Sequence, residues 1–231
     1  MNLKALIKSN TLIYKLLLNT RSTFRILYNT KRRSRFFWEL RNGDNKLSLN
    51  YPLNKNSIVF DIGAYEGNFT EKIYTKFECN VHAFEPLEEY CEFLRKKFLN
   101  FNKVKILNFG LLDENKEYKI SNIGESSSIY TRPEGELNTI VKMKRFSEYI
   151  SDNEIQNIDL VYMNIEGSEY PLLEHIISEG IINNIQHLQI QFHNFVPNSK
   201  QLRKNIRDQL SKTHKCKFNF PFIWESWSIK N

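Results

Sequence analysis

Three short stretches of this 231-residue chain place carboxylates at the ends of apolar runs. Asp61-Ile62-Gly63-Ala64-Tyr65-Glu66-Gly67 follows Ile58-Val59-Phe60. Ala83-Phe84-Glu85-Pro86 closes the next run, and Asn164-Ile165-Glu166-Gly167-Ser168-Glu169 follows Ile158–Met163. His193 stands just past a fourth run, Leu188-Gln189-Ile190-Gln191. Carboxylates and an imidazole in such places suit two tasks: holding the cationic or polyol parts of a ligand, and moving a proton.

The first stretch reads as a cofactor loop. In an open α/β sheet, ligands bind beyond the carboxyl ends of the strands, near the point where strand order reverses. Gly63 lets the backbone turn sharply and approach a ligand, Gly67 lets the next helix begin tight against the strand, and Asp61 supplies a carboxylate near a cation. The loop is not the Gly-x-Gly-x-x-Gly of dinucleotide sites. Tyr65 stands where the second glycine belongs, so the backbone cannot close on a pyrophosphate. S-Adenosylmethionine has no pyrophosphate, and its ammonium and sulfonium favour nearby carboxylates and carbonyls. Glu85 lies 24 residues after Asp61, where an acid can take both ribose hydroxyls. Pro86 then opens the following helix at its favoured first position. Asp113, after the run Val104–Leu107, is either an acceptor for the adenine amino group or an ordinary turn residue. The cofactor candidates are thus Asp61, Gly63, Tyr65, Gly67, Glu85 and Asp113. A strand–turn–helix without a ligand is the alternative.

Methyl transfer from such a cofactor needs the acceptor aligned and its proton removed. His193 is the first choice of base, since it sits at the same sheet edge and its ordinary pKa near 6.5 suits the task; a hydrogen-bonding loop histidine is the plainer reading. Glu166 is second, as base or as a hold on the acceptor, against a role in capping the helix that starts at Ser168. Glu169 lies in that helix's first turn, where it stabilises the dipole or, with Asn164 and Asn194, meets the acceptor. His82, His175, His187 and His214 lie inside elements or away from strand ends and read as structural. No His/Asp/Glu grouping has the spacing of a metal site, so none is expected.

The elements that must position these residues alternate. Strands are expected at 58–60, 81–84, 104–107, 158–163 and 188–191, with helices at 68–77, 87–100, 169–179 and 199–211. Residues 116–142, with Ser126-Ser127-Ser128 and Gly135, read as a hairpin or excursion. Residues 215–219 and 223–229, joined at Pro221, read as a closing antiparallel pair. This pattern predicts an α/β fold with a mostly parallel sheet and helices on both faces. The domain is expected over 51–231, preceded by a helical arm over 1–50.

The arm is where the charge lies. Residues 1–47 hold eleven Lys/Arg against Glu39 and Asp44, a net +9, while the remainder carries 22 basic and 24 acidic residues. A nearly neutral body argues against a broad nucleic-acid surface. Leu3, Ile7, Leu12, Leu16 and Leu17 suggest one basic amphipathic helix over 3–19. Phe24, Ile26, Leu27, Phe36, Phe37 and Trp38 suggest a second over 21–41. They form a lid on the domain or a face for a membrane surface or protein partner. No run reaches the length of a membrane span, and no secretory signal is evident. Three cysteines with no CxxC pairing suit a reducing compartment. The expected location is cytoplasmic, with peripheral contact at the inner membrane face.

The residues Val59–Gly67, Ala83–Pro86 and Met163–Glu169, in this order and spacing, resemble the FkbM-type methyltransferases, a Rossmann-like class I branch. The resemblance spans roughly residues 55–195 and does not reach the arm. Glu166-Gly167-Ser168-Glu169 is the most telling piece. The resemblance implies transfer of a methyl group from S-adenosylmethionine to a hydroxyl, often on a sugar or secondary metabolite, and in bacteria often in surface-polysaccharide pathways. Relatives often read Lys-Ile-Asp-Val-Glu-Gly where this chain has Tyr162-Met163-Asn164-Ile165-Glu166-Gly167, so Asn164 replaces a carboxylate and Tyr162 a lysine. An O-methyltransferase acting on a small-molecule or glycan acceptor is the reading. Its rivals are an RNA or DNA methyltransferase guided by the basic arm, a non-catalytic scaffold, and a nicotinamide enzyme. The first is opposed by Asn164-Ile165-Glu166-Gly167 standing where amino-directed enzymes carry Asn/Asp-Pro-Pro-Tyr. Tyr65 opposes the last.

Overall fold

A computed structural model describes residues 29–120 and 139–230. Two helices come first, α1 (Thr30–Leu40) and α2 (Gly43–Lys46). The alternating body follows: β1 (Ile58–Ile62), α3 (Asn68–Phe77), β2 (Asn80–Phe84), α4 (Glu88–Lys97) and β3 (Val104–Leu107). After β4 (Gly110–Leu112), β5 (Lys116–Ile120), β6 (Thr139–Arg145) and α5 (Phe146–Asp152), the alternation resumes with β7 (Ile158–Met163), α6 (Glu169–Ser178), β8 (Ile185–Ile190) and α7 (Ser199–Thr213). The antiparallel strands β9 (His214–Phe220) and β10 (Trp224–Ile229) close the chain.

The main sheet has the order β3-β2-β1-β7-β8-β10-β9. Its first five strands are mutually parallel, and β10 runs antiparallel to both β8 and β9. The expected α/β class and antiparallel closing pair are thus present. Between β1 and β7 the chain order reverses, which places the ligand crevice at their carboxyl ends. Period-2 alternation sends Val59, Val81 and Leu160 to one face, where they pack with Ile73 of α3. It sends Phe60, Ile62, Phe84, Val161 and Met163 to the other, against Leu172, Leu173 and Ile176 of α6 and Ile206 and Leu210 of α7.

Two elements lie outside the expectation. Strand β4 pairs parallel with β6, and β6 pairs antiparallel with β5, making a small second sheet. Three residues are too few for a period to show, yet Leu111 and Leu112 of β4 are fully buried in the main core. Helix α5 adds Phe146 and Tyr149 to that core. The expected excursion is a strand pair, β5 and β6; its tip, with Ser126–Ser128 and Gly135, lies outside the described residues. The expected helix over 3–19 lies outside them too, as do Phe24, Ile26 and Leu27. Among the described residues, no helix is long and apolar enough to cross a membrane.

Helix α1 docks on the sheet. Asn29 caps its start by accepting from the Arg32 N–H at 3.0 Å. Ser34 and Trp38, one turn apart, form the buried side. Trp38 packs with Phe220, Ile223 and Trp224, and its indole N–H donates to Asp44 Oδ1 at 3.0 Å. Farther along, the Tyr51 hydroxyl meets Gln189 Oε1 at 2.8 Å and Ser226 Oγ at 2.9 Å, and Gln189 Nε2 donates to Ser48 Oγ at 2.6 Å. Residues 38–51 therefore complete the core at the β8–β10 side. Trp38→Ala removes a buried indole from an aromatic cluster and is expected to destabilise the fold by about 3–5 kcal/mol, read as a lower midpoint in denaturant unfolding; an unchanged midpoint would show that α1 contributes little.

Candidate active site

The loop after β1 is held by backbone conformation. Gly63, Tyr65 and Gly67 all have positive φ, at 86°, 50° and 72°. The N–H groups of Gly63 and Ala64 both donate to the Phe84 carbonyl at 3.0 Å, which stitches the loop to the end of β2. A Cβ on Gly63 would stand 2.2 Å from the Asn164 carbonyl oxygen, and one on Gly67 would stand 2.5 Å from the Phe98 ring. Both positions exclude a side chain, one for the approach of the loops and one for helix packing. Tyr65 holds the left-handed conformation with a Cβ, at about 1–2 kcal/mol.

That conformation aims the Tyr65 N–H at Glu85 Oε2, 2.9 Å away, while Glu85 Oε1 accepts from the Leu87 N–H at 3.0 Å. The Glu85 carboxylate is thus fixed in plane, with one further lone pair on each oxygen. The fit to two vicinal hydroxyls is that of a ribose. Burial raises Glu85 to about 7, against the lowering effect of those two N–H bonds. The Tyr65 and Tyr90 rings meet at 4.5 Å beside it. Tyr90 has no sequence signal, since it lies on an ordinary helical turn of α4.

Asp61 is 1% exposed. Its Oδ2 accepts from the Thr70 hydroxyl at 2.6 Å in the first turn of α3, and burial raises its pKa to about 6. It ties the end of β1 to the start of α3. Asp113 does not join the group. Strand β4 intervenes between β3 and Asp113, which is exposed and lies near enough to His175 of α6 to influence its titration. Asn108 holds the end of β3 instead. Its Nδ2 lies 3.4 Å from the Glu85 and Pro86 carbonyls and 3.2 Å from Cys91 Sγ. Its signal was its place, directly after the last residue of the strand.

The ends of β7 and β8 carry the other half. The Asn164 N–H donates to the Ile62 carbonyl at 3.0 Å, and its side-chain Oδ1 is buried with no hydrogen-bond partner among the described residues. Glu166 and Gly167 follow with positive φ, at 50° and 105°. Glu169 then lies with its side chain 0% exposed. Its Oε2 accepts from the Gly167 N–H at 2.8 Å, and its Oε1 accepts from the His193 N–H at 2.7 Å and lies 3.2 Å from His193 Nδ1. His193 Nε2 is 3.3 Å from Glu166 Oε1 and 3.3 Å from Gln191 Nε2.

This geometry changes the expected roles. His193 is 3% exposed rather than an open loop histidine. Burial disfavours its charge, but hydrogen bonds to Glu166 and Glu169 outweigh it and hold the imidazole at about 9. Its Nε2 is turned to Glu166 and its Nδ1 to Glu169, and the two carboxylates favour the protonated ring. Glu169 has no surface to offer an acceptor. Glu166, at 14% side-chain exposure, is the most exposed of the three. Asn194 is exposed, with its carbonyl accepting from Ser199 Oγ at 3.3 Å. Phe195, also exposed, has its ring 5.5 Å from that of His193. Of the other histidines, His82 Nδ1 meets the Tyr149 hydroxyl at 2.9 Å, His187 Nδ1 meets Ser228 Oγ at 2.8 Å, and His214 Nε2 donates to the Ile185 carbonyl at 2.9 Å. Tyr162 packs face to face with Phe69 at 3.6 Å. Among the described residues, no group of three or more His, Cys, Asp or Glu is placed to hold a metal ion.

If Glu85 takes the ribose, the hydroxyls donate to its ionised form, so binding would pull its proton off. Affinity for S-adenosylhomocysteine should therefore be flat above pH 7 and fall below it, by up to about tenfold per pH unit, as measured by calorimetry. Glu85→Gln should weaken binding and remove that dependence between pH 6 and 7. An unchanged slope would take Glu85 out of the ribose site.

No curated protein matches the sequence. Among solved structures, an FkbM methyltransferase from Methylobacillus flagellatus superposes with a TM-score of 0.54 at 13% identity, over 78% of this chain and 45% of that one. The chain thus spans less than half of that protein's length. A Clostridium thermocellum protein assigned as an rRNA methylase gives 0.50 at 10% identity, over 83% and 96% of the two chains. A Streptococcus mutans protein crystallised with S-adenosylhomocysteine gives 0.49 at 16% identity, over 77% and 91%. At such identities the likeness is one of fold. The family model of the methyltransferase FkbM domain matches residues 61–220, which run from the carboxylate of the cofactor loop to the end of β9 and make up more than half of the chain. This protein belongs to the FkbM methyltransferase family, and its cofactor is S-adenosylmethionine.

Proposed function

We propose that this protein methylates a hydroxyl on a sugar ring, as found in surface-polysaccharide intermediates and related metabolites. The observation that carries the reading is Glu166, a partly exposed carboxylate in the loop after β7, held by the buried His193 ring and adjoining the loop after β1. Glu85 would take the ribose hydroxyls, with Tyr65 and Tyr90 beside it, and Asn164 Oδ1, unpartnered among the described residues, would accept from an ammonium or hydroxyl. S-Adenosylmethionine supplies a methyl group already activated on a sulfonium, which leaves behind a neutral thioether. Glu166 then has two tasks: to accept a hydrogen bond from the acceptor hydroxyl, and to take its proton as the oxygen bonds to carbon.

Phe195 supports a carbohydrate acceptor. It offers an exposed flat apolar surface beside polar groups, which suits a sugar ring with C–H bonds on its faces and hydroxyls on its rim. Transfer of radiolabelled methyl to a panel of nucleotide sugars and glycan fragments tests the acceptor. Glu85→Ala should weaken cofactor binding. Glu166→Gln should lower turnover by about 10²–10⁴-fold with cofactor affinity kept. A Glu166→Gln enzyme at the wild-type rate would end its assignment as base.

The exposed side chains of Arg32, Arg33 and Arg35 on α1 support a second element of the reading, contact with an anionic membrane surface. The full chain should pellet with phosphatidylserine-containing vesicles and not with phosphatidylcholine alone. Reversing these three charges should release it. Equal binding to both vesicles, or salt-sensitive RNA binding in their place, would overturn it.

A further inference from the structure

Glu169 is the buried charge that needs an explanation beyond the fold. A helix-capping carboxylate in a first turn is ordinarily at the surface, where water shares its charge. Here the side chain is wholly enclosed, and its three partners come from two loops. Gly167 donates from the loop after β7, and the His193 main-chain N–H from the loop after β8. The third is the His193 ring at Nδ1. A buried carboxylate is tolerated when it is paired and hydrogen-bonded, and the His193 ring is the group placed to pair with it. The groups that face the imidazole are Glu169 from α6, Glu166 from the loop after β7, and Gln191 and Phe195 from its own loop. The Tyr170 hydroxyl donates to the His193 carbonyl at 2.7 Å and fixes its backbone.

These contacts run in one line, from Glu169 through both ring nitrogens of His193 to Glu166. We propose that Glu169 is a positioning residue of the transfer site: it acts through His193 to fix the charge and aim of Glu166, and touches neither cofactor nor acceptor. The proposal rests on the reading of Glu166 as the acceptor-facing carboxylate. With Glu169 ionised, the Nδ1 proton stays on the ring and the Nε2 proton points at Glu166. Glu166 Oε1 is then held by the ring at 3.3 Å. Without the Glu169 charge, burial favours the neutral ring. The imidazole would lose a proton near neutral pH and present either a donor or a lone pair to Glu166.

The test uses the full chain, labelled with ¹⁵N in its histidine rings, with the His193 signal assigned by its loss in His193→Asn. Glu169→Gln keeps the shape and an oxygen to receive N–H groups, but removes the charge. His193 should then titrate lower by about one pH unit or more, while affinity for S-adenosylhomocysteine stays within about twofold of wild type. A structural cap would leave the titration unmoved, and that result would overturn the proposal. Should Glu169→Gln not fold, Glu166→Gln decides. With Glu169 in place, the ring should still titrate above the ordinary histidine range, and a fall to that range or below would overturn the proposal. Neither titration involves an acceptor. A failure of methyl transfer to hydroxyls would therefore count against the functional reading alone, and an unmoved titration against the coupling alone.

Discussion

The crevice depends on one steric constraint, the approach of Gly63 to the Asn164 carbonyl. β1 and β7 are adjacent parallel strands, and the chain leaves them in opposite directions across the sheet. Their loops must first pass each other before they part. They do so at a separation where a single methyl group would overlap the carbonyl oxygen. With that contact as floor, the loop after β1 leans on β2 and the loop after β7 leans toward β8. One side then carries Tyr65 and Glu85, and the other carries Glu166, Glu169 and His193. Neither side can shift without opening the floor between them.

Three buried carboxylates surround this floor, and each is compensated differently. Asp61 is tied to a threonine hydroxyl and serves the start of α3. Glu85 is tied to two backbone N–H groups and keeps lone pairs for hydroxyls. Glu169 is tied to two backbone N–H groups and a charged ring. Only the last has a full positive charge at hand. The cofactor side therefore holds groups raised toward neutral pH by burial, which a polyol or cationic ligand can relieve. The acceptor side already holds its counter-charge.

The loop after β1 and the end of β2 were largely legible in the residues themselves, because a turn glycine, a strand-end acid and a proline at a helix start are local signals. The loops after β7 and β8 were legible only as a set of residues. His193 is buried against Glu169, which lies 24 positions earlier, and no local pattern records a contact between two loops. Asp113 was misplaced for a related reason. β4 is three residues long and takes its burial from the main core, so neither periodicity nor length announces it. Trp38 reads from sequence as one face of a basic helix. Its burial was hidden because its partners, Phe220, Ile223 and Trp224, come from the far end of the chain.

That last feature bears on how the protein is made. Trp38, Ser48 and Tyr51 meet partners between residues 189 and 226, and β10 must slot between β8 and β9 before the sheet is whole. The early segment therefore waits on the ribosome for nearly the entire chain. At about 5–20 residues per second that delay is on the order of ten seconds or more. Throughout it the indole of Trp38 and its arginine-rich helix have no native surface to rest on. A segment so long unpartnered is a natural client for chaperones, and its dense positive charge suits the wait, because like charges discourage nascent chains from associating through their exposed aromatics.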